Sequence, residues 1–401
     1  MEIKTNKEKF FGNTAIDVVG TPFINESFGR NDWVMFGNDN LWPQELLRIY
    51  QNSSPLHTGL CKKKTDMIAG LGFNPIAGLE SLIANEFSKE DLNIIVYKTA
   101  MDLVLFGGYY LQVIWAKGGK QIAQIEHIPY EKVRAQKPCA KDYFGEPNET
   151  DEVLNYYISK DWARTRRGEN EPKLITAFDQ KLAVECPSQL LATMSYTPGM
   201  EYYSLPDYMS IVNWLKLDYN ISVFHLKSVT NGFAPSMIIT MKDGAPTDEE
   251  RQKEYLQLKE RYASALNAGD FLLVYADSDA TAPTFTPIQL NDSDTRFKDL
   301  MVQMNQEILV GHGATSPVGG IETSGKLGSA DEIKDAYKLF QLTKIAQFQE
   351  IIERTFNKLA KINGYAEKLN LVPYVFLSED ITPEADATAM TTINNIRSII
   401  K

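Results

Sequence analysis

The sequence predicts an α+β fold, a mixed sheet with helices, followed by two helices that flank a small β-α-β insert. Three observations predict it. Two alternating apolar runs meet at a glycine turn after Gly107. The segment from Asp207 to Val229 is apolar on nearly every face. Apolar residues from Ile333 to Leu359 sustain one helix too long for a compact core.

At 401 residues the chain has room for two or three domains, and 43% hydrophobic with 23% charged residues is ordinary for a folded protein. The net charge of −11 is spread along the chain. That balance argues against a broad grip on nucleic acid, because tight phosphate binding draws on many Lys and Arg contacts. It is compatible with surrounding DNA without adhering to it. No apolar run reaches the ~18–20 residues that span a membrane, and Met1–Lys9 lacks the apolar core of a secretory signal. Cys61, Cys139 and Cys186 lie far apart with no Cys-x-x-Cys pair, so free thiols in a reducing compartment are expected.

The first fifty residues, with Trp33, Phe36 and Trp42 among polar turns, read as an irregular arm. A helix is expected from Ser54-Pro55 to Ile68, stopped by Ala69-Gly-Leu-Gly-Phe, and a second over Lys89–Phe106 with Leu92, Ile95, Val96, Ala100 and Leu103 on one stripe. Gly107–Trp115 and Gln121–Ile128 around Lys117-Gly-Gly read as a β-hairpin, with further strands at Val153–Ser159 and Lys173–Phe178.

Beyond Pro206 the helix Asp207–Val229 carries Met209, Ile211, Val212, Trp214, Leu215, Leu217, Ile221, Val223, Phe224 and Leu226. A helix apolar all round must be buried on all sides, in a large core or between subunits. The insert opens with a strand at Ser236–Met241. The capping box Thr247-Asp-Glu-Glu then starts a charged helix to Asn267, and strands follow at Phe271–Tyr275 and Thr284–Gln289. The second flanking helix, Ser293–Val310, places Phe297, Leu300, Met301, Met304 and Ile308 on one stripe. A loop with six glycines, Gly311–Gly328, leads to a helix capped by Ser329-Ala-Asp-Glu and running to Ile362, on the order of 50 Å long. Leu371–Leu377 reads as a strand.

Gly320–Leu327 nearly satisfies the phosphate-binding pattern Gly-x4-Gly-Lys-Ser/Thr, with Lys326 in place. Leu327 offers no oxygen to a magnesium ion, and the loop follows a helix where the motif needs a strand. The alternative reading it supports is a soluble nucleotide-dependent enzyme using residues 320–327; the favoured reading is a mobile glycine-rich loop. His57 and Cys61 have helical i, i+4 spacing, but two ligands do not make a zinc site. His57, His127, His225 and His312 show no ligand spacing to one another; His225 is expected in a core or interface, and His312, which opens the glycine loop, is the one to watch. The acid pairs Glu249-Glu250 and Asp331-Glu332 sit in first helical turns, where they favour the helix dipole. Arg164-Thr-Arg-Arg167 reads as a solvated loop.

Ser54-Pro-Leu-His, Ile68-Ala-Gly-Leu-Gly-Phe, Leu105-Phe-Gly-Gly-Tyr-Tyr-Leu-Gln-Val-Ile, Tyr203-Ser-Leu-Pro-Asp-Tyr, Asn231-Gly-Phe-Ala-Pro-Ser and Ile308-Leu-Val-Gly-His-Gly-Ala-Thr-Ser-Pro-Val-Gly-Gly follow one another over Ser54 to Ile362. In that order they resemble the portal proteins of tailed bacteriophages, prophages and gene transfer agents. The resemblance implies a portal-type fold with wing 1–204, stem helices 205–232 and 292–312, clip 233–291, tunnel loop 313–329, long helix 330–363 and a wing strand with a short crown at 364–401. It implies a homo-oligomeric ring, expected to be dodecameric, at one capsid vertex. Double-stranded DNA would pass through it during packaging and ejection. The terminase large subunit, a head–tail adaptor and the major capsid protein would be its partners, and no membrane would be involved. Its place would be the virion, and the host cytoplasm during assembly. It would be a structural protein with no catalytic residues, no cofactor and no metal. By the same resemblance Thr315, Ser316, Thr323, Ser324 and Lys326 would face DNA in the tunnel loop. Glu249, Glu250, Lys253 and Glu254 would form the clip's partner surface. Trp214, Leu217, Phe224, Phe297, Met301 and Met304 would form the stem interface.

Overall fold

The structure is a computed structural model and describes residues 24–74, 91–138, 152–231, 237–241, 271–275, 293–321 and 330–374. In chain order the elements begin with β1 (Glu26–Phe28), β2 (Val34–Phe36), α1 (Trp42–Asn52), α2 (Pro55–Ala69) and α3 (Leu92–Phe106). Six strands follow: β3 (Gly108–Trp115), β4 (Ile122–Ile128), β5 (Val133–Ala135), β6 (Asn155–Ile158), β7 (Lys173–Ala177) and β8 (Ser188–Met194). Next come α4 (Val212–Asn231), β9 (Met237–Met241), β10 (Phe271–Tyr275), α5 (Ser293–Gly311) and the single turn α6 (Ser316–Gly319). The last helical stretch is α7 (Ala330–Phe340), a π-helical turn over Gln341–Ile345, and α8 (Ala346–Ile362). The chain divides into two compact units: one holds Met1–Leu47, Lys62–Asp207 and Gln341–Lys401, the other Arg48–Cys61 and Tyr208–Phe340. Residues 48–61, expected with the first region, thus belong to the second unit.

The first unit is organised by a six-stranded sheet in the order β4-β3-β8-β7-β6-β5, antiparallel except for β7 beside β8. The expected hairpin is present, Tyr110 opposite Ile128, and its turn uses Gly118 and Gly119 at φ 105° and 67°, angles that side chains with a Cβ rarely adopt. Helix α3 packs against β3. Asp91 caps it by accepting a hydrogen bond from the Ile94 N–H at 2.8 Å, and Gly107 ends it at φ 79°, where a Cβ would strike the Leu205 carbonyl. Strands β5 and β8 were not anticipated.

The arm expected to be irregular is instead ordered from Glu26 onward, with the β1–β2 hairpin and α1. The Glu26 carboxylate accepts backbone N–H bonds from Glu201, Tyr202 and Tyr203 at 2.7–2.8 Å, which pins this hairpin to the chain that leaves β8. Aromatic stacking fills the space beneath: Phe36 lies parallel to Tyr203 at 4.4 Å, and Phe106 parallel to Tyr130 at 4.7 Å. Leu371 makes only a single bridge to Phe73, so the described part of the expected strand Leu371–Leu377 is not a strand.

In the second unit α4 and α5 pack against each other, and a 3-10 turn at Met209–Ile211 packs against α5. Gly311 has no side chain because Ile211 occupies the space a Cβ would need. Strands β9 and β10 pair in parallel, Met237 opposite Phe271. Parallel neighbours need a long connection, and residues 242–270 lie between the two strands in the sequence. The expected charged helix Thr247–Asn267 and the strand Thr284–Gln289 lie outside the described residues.

Candidate functional site

The expected stem residues are placed on both sides of the helix pair. Met304 is buried with Ile308, Leu215 and Ile221, whereas Trp214 and Leu217 are half-buried. The expectation that Asp207–Val229 is buried on every face fails within one chain: Phe224 is 52% and Leu226 67% exposed. On α5, Met301 is 41% and Val310 74% exposed. The stripe drawn from Phe297 to Ile308 therefore splits, with its Met304–Ile308 end inward and Met301 outward; the Phe297 side chain lies outside the described ones. Of the two places the sequence allowed for this apolar surplus, a large core or a contact between subunits, the single chain does not provide the first for Phe224 and Leu226.

In the glycine loop, Thr315 is exposed and Ser316 half-buried. The loop begins less loosely than its six glycines suggest, because Ser316–Gly319 form a helical turn closed by Gly320 at φ 74°. Thr323, Ser324 and Lys326 lie outside the described residues, as do Glu249, Glu250, Lys253 and Glu254. What precedes the near-match at 320–327 is helical, which removes the strand that a phosphate-binding loop requires. Arg164, Arg166 and Arg167 are exposed, as a solvated loop would be, and Asp331 and Glu332 are exposed in the first turn of α7.

Sequence spacing missed two constellations. In the first unit, Lys64 is fully buried and donates to the Asp207 carboxylate at 2.8 Å; Lys344 reaches the same oxygen at 3.1 Å. Asp207, expected to open the stem helix, is thus the counter-ion of a buried ammonium. In the second unit, His57, Cys61 and His312 converge with no solvent exposure. His57 Nδ1 and His312 Nε2 are 2.9 Å apart, and Cys61 Sγ is 3.8 Å from each ring nitrogen of His57. Helical spacing puts His57 and Cys61 on one face of α2; His312 arrives from the end of α5, 255 residues away, a proximity that no local pattern encodes.

Two further histidines stay apart. His127 Nε2 lies 2.8 Å from Asp102 Oδ2, which also accepts the Tyr130 N–H at 3.0 Å; burial raises the Asp102 carboxyl above its ordinary pKa, and the His127 bond opposes that rise. His225 is half-buried beside Phe224. Among the described residues no helix is long and apolar enough to cross a membrane.

No protein-family model and no curated protein matches the sequence. Solved structures do. A chain of the virion of a native gene transfer agent particle aligns with a TM-score of 0.54 at 14% identity, covering 94% of this chain and 91% of that one. A chain of the neck of an empty particle, computed with C6 symmetry, aligns equally well over 94% and 92%. A chain of the neck of a native particle, computed with C12 symmetry, gives 0.52 over 93% and 91%. Along nearly its whole length the chain has the fold of a component of gene transfer agent particles.

Proposed function

We propose that the chain is a portal protein, a subunit of a twelve-membered ring at one capsid vertex through which double-stranded DNA is packaged and ejected. The observation that carries this reading is the fold shared with particle-neck chains over more than nine-tenths of both lengths, one of those necks having been computed with C12 symmetry. Physical support comes from the exposed apolar side chains on α4 and α5. Leu226 and Val310, 67% and 74% exposed, would be covered where each helix pair meets its neighbours. A closed ring repeats one heterologous contact until rotation returns to the start.

In this reading residues 1–204 form the wing, α4 and α5 the stem, and 233–291 the clip, whose parallel β9–β10 pair suits a β-α-β unit. Glu249, Glu250, Lys253 and Glu254 would meet the terminase large subunit and the head–tail adaptor. Thr315, Ser316, Thr323, Ser324 and Lys326 would face DNA in the tunnel loop. The subunit itself carries out no chemistry.

The test is the particle mass of the purified full-length protein, with negative-stain images of the same sample. Rings of twelve with a hole near the width of a duplex are expected. A monomer or dimer that persists at high concentration, including in the presence of its scaffold and capsid proteins, overturns the reading.

A further inference from the structure

We propose that His57, Cys61 and His312 form a binding site for one divalent cation of the zinc class. The proposal rests on the geometry of the second unit alone and is independent of the portal reading. Three donors of borderline-soft character, two imidazoles and a thiol, lie close together in the interior: all three residues are 0% exposed, and their ligand atoms lie within 4.8 Å of one another. Buried polar groups are costly unless satisfied. The 2.9 Å approach of His57 Nδ1 to His312 Nε2 engages one proton between two nitrogens, and the thiol stands 3.8 Å off, at the limit of a weak sulfur contact.

Two of the three donor separations are close to those a metal requires. Bonds of about 2.0–2.1 Å to nitrogen and about 2.3 Å to sulfur, at tetrahedral angles, put two nitrogens about 3.4 Å apart and nitrogen and sulfur about 3.6 Å apart. The observed 2.9 and 3.8 Å differ from these by half an ångström or less. The donors are also held in place. His57 and Cys61 sit one turn apart on α2, and the His57 backbone N–H donates to Ser54 Oγ. The His312 backbone N–H donates to the Ile308 carbonyl, and Gly313, at φ 64°, closes the end of α5 immediately after it. The buried Tyr208 ring packs edge-on against His57 at 4.7 Å and tilted against His312 at 5.4 Å, fixing both imidazole planes. Thiolate and imidazole favour zinc over magnesium or calcium. On binding, the Cys61 thiol gives its proton to solvent, and the three protein donors leave a fourth position for water or another small ligand. The ion would staple α2 to the end of α5 inside one unit.

The experiment uses the untagged full-length protein, prepared without chelator. Metal content by mass spectrometry is expected to show one zinc per chain. After removal of that metal, Co²⁺ should produce a thiolate charge-transfer band and the intense visible bands of a tetrahedral site. Cys61→Ser should abolish the charge-transfer band, while Cys139→Ser and Cys186→Ser keep it; His312→Gln should lower affinity at least tenfold. Should Cys61→Ser fail to fold, X-ray absorption on the parent protein still reports whether one sulfur and two imidazoles surround the metal. Protein that holds no metal as isolated and takes up neither Zn²⁺ nor Co²⁺ at micromolar excess overturns the proposal and leaves a hydrogen-bonded imidazole pair. So does a bound metal with no sulfur in its shell.

Discussion

Among the described residues of the first unit Arg134 is the largest fully buried side chain, and its charge is met by amide oxygens. Its Nε donates to Asn40 Oδ1, Nη2 to the Asn40 carbonyl and Nη1 to the Val133 carbonyl, each at 2.7 Å, with the guanidinium 4.9 Å from the Trp162 ring. Asn40 adopts φ 62° to present both oxygens at once. Replacing Arg134 by Met should cost about 2–4 kcal/mol in urea unfolding, because buried oxygens lose a charged donor. Arg134→Lys should recover little, since one ammonium cannot span that fork. Asp102 supplies a pH signature. Its folded pKa is raised above 3.8, so its contribution to stability is full below 3.8 and is lost as pH rises through the raised value. Asp102→Asn does not titrate, and its unfolding midpoint relative to the parent should climb across that window; an unchanging difference would assign the pH response elsewhere. None of this was legible in the sequence. His57 and Cys61 could be paired by their spacing and His312 singled out by its position, but their meeting depends on how α2 and α5 pack. A single sequence carries no periodicity for that.

Elements whose signals are local were readable. The hairpin came from alternation and two glycines, α3 from its stripe, and α5 from its 3.6-residue period. Strand β8, Ser188–Met194, was missed because its residues have modest strand preference and its pairing with β3 lies about eighty residues back in the chain. Helix α1 was hidden by the surrounding polar turns. The long helix was read as one, yet it holds a π turn at Gln341–Ile345. Its trace is present in the sequence: buried Phe340 and Ile345 are five residues apart, where an α-helical stripe steps by three or four. The all-round apolar α4 shows the limit of such reading, because periodicity reports that a face will be covered and is silent on whether the cover is the same chain. Leu226→Ser with Val310→Ser tests the interface this implies. Unfolding of the isolated subunit should move by less than about 0.5 kcal/mol, as for surface substitutions, while the ring fraction in mass measurements falls sharply.

For the whole molecule, a net charge of −11 sets how it should treat DNA. A ring that guides a duplex without gripping it should show association nearly independent of salt, against a slope of about −5 to −9 in log K per log salt for a protein making six to ten phosphate contacts. A steep slope in filter binding would assign the chain to a DNA-gripping role instead. The α+β fold class was legible at this scale because it follows from the succession of local patterns. The division into units was not. The chain changes unit after Leu47, Cys61, Asp207 and Phe340. The first unit is completed only by α8, whose Gln349 donates to the Met67 and Ile68 carbonyls. Domains ordinarily fold as they leave the ribosome, N-terminal first. Here neither unit is one continuous stretch, and the first stays unfinished until α8 has been made. A chain that stopped before α8 would therefore lack a finished first unit, so translation itself would screen out such chains before they could pair with any partner.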